Sequence, residues 1–197
     1  MNIRYNISMV RGIVIPMLCA AVFFASGSAV LAKEKNGGVY PKSYKVVVPG
    51  VLTRSGAPTM SQMKKLRSQG TTSIVKLITT QELAAYKKSD PTVTAEFRAL
   101  GLRQLSLPIR ESYPPTEAEA KRFLSFVKNP KNQPVHVYCR KGHARTGTMV
   151  AVYRYSVQGW SMAKAIKEAK RYGSGPSTKQ ITWLKQWAKN NALGSYK

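Results

Sequence analysis

Residues 134–147 have the sequence PVHVYCRKGHARTG, and this stretch decides how the chain folds. Its first half is short, apolar and rich in β-branched residues, which predicts a buried strand over residues 134–139. Its second half leads into the run TGTMVAVYRY, which is apolar on most sides and predicts a buried helix over residues 145–158. Cys139 is therefore expected at the end of a strand, and a short loop should connect it to the N-terminus of a helix.

This loop has the properties of an anion-binding site beside a nucleophilic cysteine. Successive backbone N–H groups in such a loop form a concave cluster of donors, and a helix N-terminus adds unpaired donors and partial positive charge. Gly142 allows a backbone conformation that other residues resist, and Arg145 carries a planar fork that binds two phosphate oxygens together. Thr146 offers a hydroxyl near the sulfur. These features predict attack of the Cys139 thiolate on phosphorus, a cysteinyl-phosphate intermediate and its hydrolysis by water.

Residues 139–147, CRKGHARTG, resemble the Cys-x5-Arg-(Ser/Thr)-Gly signature of the protein tyrosine phosphatase superfamily, and they are most similar to its compact dual-specificity branch. Residues 51–59, VLTRSGAPT, are similar to the Arg-Ser-Gly-x-Pro segment of atypical and bacterial members, and residues 70–77 match the strand that follows it. With the helices after the loop, the resemblance covers about residues 45 to 190. It implies an α/β fold in which helices flank a central, mostly parallel sheet.

The resemblance implies roles for individual residues. Cys139 is the expected nucleophile, Arg145 the phosphate clamp and Thr146 the group that assists the sulfur. The phosphate oxygens are expected to bind a loop of six residues, namely Arg140, Lys141, Gly142, His143, Ala144 and Arg145. Neither a metal ion nor a cofactor is implied, and two His and two Cys leave little for a metal site.

The chain departs from the family pattern directly before the cysteine. Members usually have His at that position, whereas this chain has Tyr138. His136 lies three positions before Cys139, and because side chains along a strand alternate between faces, the two should point to opposite sides of the sheet. We therefore interpret His136 as a core residue.

A second departure concerns the general acid, for which the family uses an Asp on an upstream loop. The one Asp of the chain is Asp90, which precedes Pro91 and predicts a helix N-cap. Glu111 is the better candidate, because it follows a predicted strand over residues 102–107 and precedes a predicted helix. The alternative is that no side chain acts as the acid, which suffices when the leaving group is already a good one.

Two other functions remain open at this point. Rhodanese-like sulfurtransferases also carry a Val-Tyr-Cys-Arg-x-Gly segment, which residues 137–142 match. Their loop is usually one residue shorter before the arginine, so the spacing between Cys139 and Arg145 favours phosphate chemistry. The missing Asp and the missing adjacent His motivate the second alternative, a catalytically weak, phosphate-binding pseudo-phosphatase.

The chain is strongly basic, with 32 Lys and Arg against 8 Asp and Glu and a net charge of +24. Such a chain should attract polyanions. The basic residues of the loop suit either a phosphorylated protein or a small polyphosphorylated substrate such as an inositol phosphate. Nucleic acid is not an expected partner, because the sequence has no basic stripe with interleaved aromatic residues.

The N-terminus has the pattern of a signal peptide. Arg4 and Arg11 precede an uncharged stretch with an apolar centre, and the small residues that follow suit cleavage after Ala32. We expect an exported, periplasmic or secreted protein without stable membrane insertion after cleavage, and the alternative is a retained N-terminal anchor. The predicted organisation is a signal peptide (1–32), a flexible arm (33–43) and a phosphatase domain (44–197).

Apolar periodicity and helix-start patterns predict the other elements. The remaining predicted strands are 45–48, 51–54 and 73–78, and the remaining predicted helices are 59–69, 91–100, 116–128, 161–172 and 177–190. Three of these helices begin with capping boxes, at Thr59, Thr116 and Ser177. Arg54 is expected to contact ligand or to pair with an acid such as Glu82.

Overall fold

A computed structural model gives the fold, and it describes residues 39–89 and 97–196. The five strands of the sheet are β1 (Lys45–Val48), β2 (Leu52–Gly56), β3 (Ser73–Lys76), β4 (Arg103–Ser106) and β5 (Val135–Cys139). Their order is β1-β2-β5-β3-β4, with β1 antiparallel to β2 and the other neighbours parallel. The predicted fold, a mostly parallel sheet flanked by helices, is confirmed.

The helices follow the predicted order, with one addition. They are α1 (Met60–Ser68), α2 (Thr80–Ser89), α3 (Glu117–Lys128), α4 (Ala144–Ser156), α5 (Met162–Ala169) and α6 (Thr178–Asn190). Helix α2 was not predicted. Residues 97–99 are helical and match the end of the helix predicted over 91–100, whereas Asp90 lies outside the described residues.

The helix-start patterns of the sequence form as capping boxes in the structure. Thr59, Thr116 and Ser177 each accept a hydrogen bond from the backbone N–H three residues later, and the side chain there returns a bond to the backbone of the capping residue. Helix α3 buries the apolar stripe that its periodicity predicts, which consists of Ala120, Phe123, Leu124 and Val127. Local sequence therefore sets where these helices begin and which face they bury.

Strand β5 lies at the centre of the sheet and is buried along its whole length. Val135, Val137 and Cys139 belong to the apolar cluster that includes α4, whereas Tyr138 belongs to the cluster on the other side. His136 is fully buried, and its ring nitrogens bond the hydroxyls of Thr53 at 2.8 Å and Ser55 at 2.7 Å. His136 therefore points away from Cys139, as strand alternation predicts, and its ring bonds link β5 to β2.

The predicted signal peptide lies outside the described residues, and so does most of the predicted arm. Residues 39–43 of that arm are described, and they pack against the domain. The carbonyl of Lys42 accepts a hydrogen bond from the N–H of Gly56 at 2.8 Å, and Pro41 is buried. Across residues 39–89 and 97–196, no helix combines the length and apolarity that a membrane span needs.

Candidate active site

The loop after Cys139 is held against the end of β2 by two glycines. Gly142 has a φ of +76°, and a Cβ there would lie 2.4 Å from the backbone nitrogen of Gly56. A Cβ at Gly56 would in turn lie about 3.0 Å from the backbone of Lys141. Because neither position has room for a side chain, the loop crosses directly over the β2 end, where Gly56 pairs with Cys139. Gly142 thus serves the conformational role that the sequence predicts.

Cys139 is the last residue of β5 and lies where the strand meets this loop. Its side chain is 3% exposed, and α4 begins five residues later at Ala144. His143, the residue at the N-cap of α4, makes no side-chain capping bond. The first-turn N–H groups of α4 therefore have no side-chain cap, and they are available to an anion at the helix N-terminus.

Arg145 is buried in the first turn of α4 and is held by a carboxylate and two carbonyls. Its Nη1 and Nη2 bond the two oxygens of Glu82 at 2.5 and 2.7 Å, and Nη1 also bonds the carbonyls of Leu77 and Ile109. Burial by itself lowers the pKa of Arg145, but the bond to Glu82 and nearby negative charges outweigh it, so the pKa lies above its ordinary value. Arg145 is therefore a fixed cation.

The bonding pattern of Arg145 leaves one side of its guanidinium open. Arginine has five N–H donors in a planar fork. Glu82 occupies the edge formed by Nη1 and Nη2, and the two carbonyls bond Nη1. The edge formed by Nε and the second hydrogen of Nη2 bonds none of the described residues. This edge has the geometry that binds two oxygens of one phosphate.

Glu82 binds Arg145, whereas the sequence analysis gives it as a possible partner of Arg54. It is also the third residue of α2, where Thr79 and Glu82 form a capping box with bonds of 2.9 and 3.2 Å. Its bond to Arg145 lowers the pKa of Glu82. The pattern Thr79-x-x-Glu82 is the signal that could have predicted both the helix and a fixed carboxylate.

Glu111 lies on the loop between β4 and α3, which the structure brings against the loop after Cys139. One carboxylate oxygen of Glu111 is 3.9 Å from Nζ of Lys141, and both side chains are about half exposed. The charge of Glu111 also contributes to the raised pKa of Arg145. The predicted acid is therefore close to the phosphate-binding residues and open to solvent.

The loop that carries Glu111 is fixed on both sides. Nη1 of Arg145 bonds the carbonyl of Ile109 at 2.9 Å. At the other end, Oγ of Ser177 donates to the carbonyl of Ser112 at 2.7 Å, and Nε2 of the buried Gln180 donates to the carbonyl of Tyr113 at 2.8 Å. The capping box of α6 thus also anchors the Glu111 loop.

The other predicted loop residues differ in what their side chains do. The side chains of Arg140 and Lys141, the first two residues of the loop, are exposed to solvent. The ring of His143 bonds Oγ of Ser43 at 3.1 Å, and it packs where Gly173 leaves space for it. Burial, Arg54 and Lys141 lower the pKa of His143. The place of His143 in the phosphate-binding loop stays a prediction, and in the structure its ring bonds Ser43.

Thr146 is fully buried in the first turn of α4, and its hydroxyl bonds none of the described residues. Its neighbour Thr148, by contrast, donates to the carbonyl of Ala144. A buried hydroxyl without a partner costs free energy, so it is typical of a position that meets a group absent from the resting protein.

A pocket of about 280 Å³ opens beside the loop. Its walls are mostly apolar, with one cation and one carboxylate, and the lining residues are Ala57, Ile78, Glu82, Ala85, Tyr86 and Arg140. Because Arg140 follows Cys139 and Glu82 binds Arg145, the pocket adjoins the predicted phosphate site. Within residues 39–89 and 97–196, no three His, Cys, Asp or Glu side chains converge as metal ligands do.

A cysteine between a central strand and a helix N-terminus, facing a fixed arginine in this fold, defines a cysteine-dependent phosphatase of the dual-specificity class. The sequence profile described as "DSP-PTPase phosphatase fused to NAD+ Kinase" matches residues 29–186, and the chain belongs to this family. The predicted activity, a cysteine-dependent phosphatase, is confirmed at the level of the family. The family favours the phosphatase over the sulfurtransferase alternative.

Individual relatives agree with this assignment. The chain is 26% identical over 162 residues to the dual specificity protein phosphatase TpbA of Pseudomonas aeruginosa, which covers 81% of this chain and 72% of the relative. The fold is similar to that of Tk-PTP in its active form, with a TM-score of 0.63, 23% identity and coverage of 76% and 98%. It is also similar to the core catalytic domain of the PP-IP phosphatase SIW14 of Saccharomyces cerevisiae, with a TM-score of 0.61, 21% identity and coverage of 78% and 90%.

Proposed function

We propose that this phosphatase uses Cys139 as its nucleophile, Arg145 as its phosphate clamp, Glu111 as its general acid and Thr146 as the group that assists the sulfur. The observation that carries the proposal is the open Nε–Nη2 edge of Arg145, a buried cation whose other edge Glu82 holds. The phosphate of the substrate binds this edge and the first-turn N–H groups of α4. Both are held before substrate arrives, which is the arrangement that stabilises charge in a transition state.

The reaction then proceeds in two displacements. The sulfur of Cys139 attacks phosphorus, the ester P–O bond breaks, and the leaving oxygen takes the proton of Glu111. A water molecule next attacks the cysteinyl phosphate and gives a proton to Glu111. The S–P bond breaks, the hydroxyl of Thr146 donates to the departing sulfur, and inorganic phosphate leaves. Arg145 carries the phosphate charge through both steps.

We propose phosphorylated proteins, with phosphotyrosine foremost, as the substrate class. The similarity to TpbA, a dual specificity protein phosphatase, supports this choice. The pocket beside the loop supports it as well, because its volume of about 280 Å³ and its apolar walls suit an aromatic ring next to the phosphate.

A second substrate class is a small polyphosphorylated molecule such as an inositol phosphate. The exposed side chains of Arg140 and Lys141 beside the loop favour it, because they are placed to meet phosphates other than the one that reacts. The fold of a PP-IP phosphatase is among the similar structures. Replacement of Lys141 by Gln separates the classes, since it should reduce hydrolysis of a polyphosphate far more than that of an aryl monophosphate.

We also propose that the protein is exported, with residues 1–32 removed and the phosphatase active in the periplasm or outside the cell. The apolar run and the small residues before Ala32 support this proposal. N-terminal sequencing of the protein from a fractionated bacterial host tests it. A mature chain that begins at Lys33 supports export with cleavage, whereas the full chain in the membrane fraction supports the retained anchor.

One assay tests the proposed activity and its residues. The full chain should hydrolyse an aryl phosphate in the presence of a chelator, and Cys139→Ser should reduce kcat/KM by about 10⁴-fold or more. Ser156→Ala, a change of similar size at a buried position at the far end of α4, controls for a general loss of stability. Equal turnover by Cys139→Ser contradicts the nucleophile assignment. Transfer of sulfur from thiosulfate to cyanide supports the rhodanese alternative, and phosphate binding without turnover supports the pseudo-phosphatase.

A further inference from the structure

Arg54 is a second buried arginine under the loop, and it has no carboxylate partner among the described residues. Its side chain is 1% exposed. Nη2 donates to the carbonyl of Gly142 at 2.5 Å, and the guanidinium stacks 3.9 Å above the ring of Tyr172. Nε and Nη1 bond no described residue. A buried charge with two unused donors is costly, so its presence needs a compensating negative charge.

The register of the sheet places Arg54 on the Cys139 side. Arg54 pairs with Val137, and Gly56 pairs with Cys139 on the parallel strand β5. Because positions two apart in a strand share a face, Arg54 and Cys139 project to the same side of the sheet. Cys139 is thus the nucleophile that shares this face with the guanidinium.

Other charged groups around Arg54 partly cancel. Burial lowers the pKa of Arg54, while Tyr172, the Cys139 thiolate and Glu168 raise it and Arg154 lowers it further. The carboxylate of Glu168 is committed to Arg154 through bonds of 2.9 and 2.6 Å. His143 also lies near Arg54, and the cation lowers the pKa of His143. The Cys139 thiolate is thus one of the negative charges that offset the burial of Arg54.

We propose that Arg54 is a positioning residue for the reaction: its buried charge stabilises the Cys139 thiolate, and its bond to Gly142 fixes the loop in the phosphate-binding conformation. This role rests on the proposed nucleophile. The geometric support is that the buried guanidinium projects to the same face of the sheet as Cys139 and bonds the loop that follows it.

The alternative is that Arg54 only holds the loop through Gly142. A neutral donor could make that bond, so the two roles separate when charge and hydrogen bonding are changed independently. Arg54→Gln keeps an N–H donor and removes the charge. Arg54→Lys keeps the charge and a donor but loses the fork.

The test is the pH dependence of Cys139 alkylation by iodoacetamide, followed by mass spectrometry of the peptide that contains Cys139. Alkylation reports the thiolate and needs no turnover, so the result does not depend on whether the phosphatase assay succeeds. We expect Arg54→Gln to raise the pH of half-maximal rate by about one unit or more and to cut the rate at pH 6 about tenfold, with the rate at high pH unchanged. Arg54→Lys should restore most of the native profile.

Arg67→Gln is the matched control, because Arg67 also bonds backbone carbonyls, those of Leu100 and Thr71, far from the loop in sequence. A native profile for this control and a shifted one for Arg54→Gln support the proposal. A folded Arg54→Gln protein with the native profile overturns it. A native protein whose half-maximal pH is about 8.5, the ordinary value of a free thiol, also overturns it and requires no folded variant.

Discussion

Two buried arginines flank the loop after Cys139, and they are held in different ways. Arg145 has a carboxylate, Glu82, at 2.5 and 2.7 Å and two backbone carbonyls. Arg54 has one carbonyl, that of Gly142, and the face of Tyr172. The first arginine has its charge balanced inside the protein and one edge free, whereas the second has donors that nothing in the described chain uses.

This difference indicates a division of labour between the two cations. An arginine that must bind phosphate needs an exact orientation, and a carboxylate on its far edge supplies that orientation. An arginine that only stabilises a nearby anion needs charge and burial, so a carboxylate partner would weaken it. The pairing of each guanidinium therefore fits the role proposed for it.

The comparison is tested most strongly by Arg145→Lys. Lysine keeps the charge but loses the two-donor edge, so kcat/KM for an aryl phosphate should fall by about 10³-fold. The same change at Arg54 should cost far less, since charge is what that position needs. Steady-state kinetics on both variants give the ratio. Equal losses would contradict the division of labour.

Glu111→Gln tests the proposed general acid. We expect a loss of about 10²-fold in kcat/KM for an alkyl phosphate, whose leaving group needs a proton, and little loss for p-nitrophenyl phosphate. Glu117→Gln, which removes an exposed carboxylate from α3, is the control. A loss of the same size on both substrates would show that Glu111 does not act as the acid.

Glu82→Gln removes the feature that distinguishes Arg145 from Arg54. The expected effect is about a tenfold loss in kcat/KM, because the guanidinium keeps its carbonyl bonds but loses its charged, two-oxygen partner. Glu119→Gln is a matched control: Glu119 is also the third residue of a capped helix and binds its capping threonine, but it contacts no arginine of the site. Equal activity in Glu82→Gln and Glu119→Gln would contradict a role for Glu82 in orienting Arg145.

The smallest effect on activity is expected at His136, on the opposite face of β5. Burial lowers the pKa of His136 to about 3, against an ordinary value of 6.5. The unfolded chain therefore binds a proton that the folded chain does not, and stability is lost as the pH falls from 6.5 towards 3. Between pH 6.5 and 4.5, the free energy of unfolding should fall by up to about 1.4 kcal/mol per unit.

Urea unfolding at a series of pH values measures this slope. His136→Gln should abolish most of it and leave kcat at pH 7 near the native value. His143 also has a lowered pKa, so His143→Gln provides the comparison that assigns the slope. If the free energy of unfolding of His136→Gln keeps the native dependence on pH, a group other than His136 causes that dependence.

Much of the fold could be predicted because local patterns and tertiary structure agree. Capping boxes, apolar stripes and the strand before Cys139 are short-range signals, and each appears in the structure close to its predicted bounds. Helix α2 was missed, although Thr79-x-x-Glu82 is the same kind of signal, because its apolar face is weak: all side chains over residues 80–88 are at least partly exposed.

The composition of the site was harder to predict than the fold. Cys139, Arg145 and Gly142 follow from the spacing in one loop. The partner of Arg145 lies 63 residues away, and which arginine Glu82 binds depends on how β3 and β5 pair. The ring of His143 bonds Ser43, 100 residues earlier. Long-range pairing of charges leaves no trace in local sequence, so these contacts required the structure.

The short stretch before β1 has a practical consequence for where the domain may be cut. Lys42 bonds the backbone of Gly56, and Ser43 bonds the ring of His143, so both lie under the catalytic loop. Gln62 and Gln69 of the α1 region also bond Tyr40. A shortened chain that starts at residue 44 loses all of these supports, whereas one that starts at Lys33, the predicted cleavage point, retains them. If the proposed cleavage after Ala32 occurs, the mature enzyme therefore keeps the contacts of residues 40, 42 and 43 with the domain.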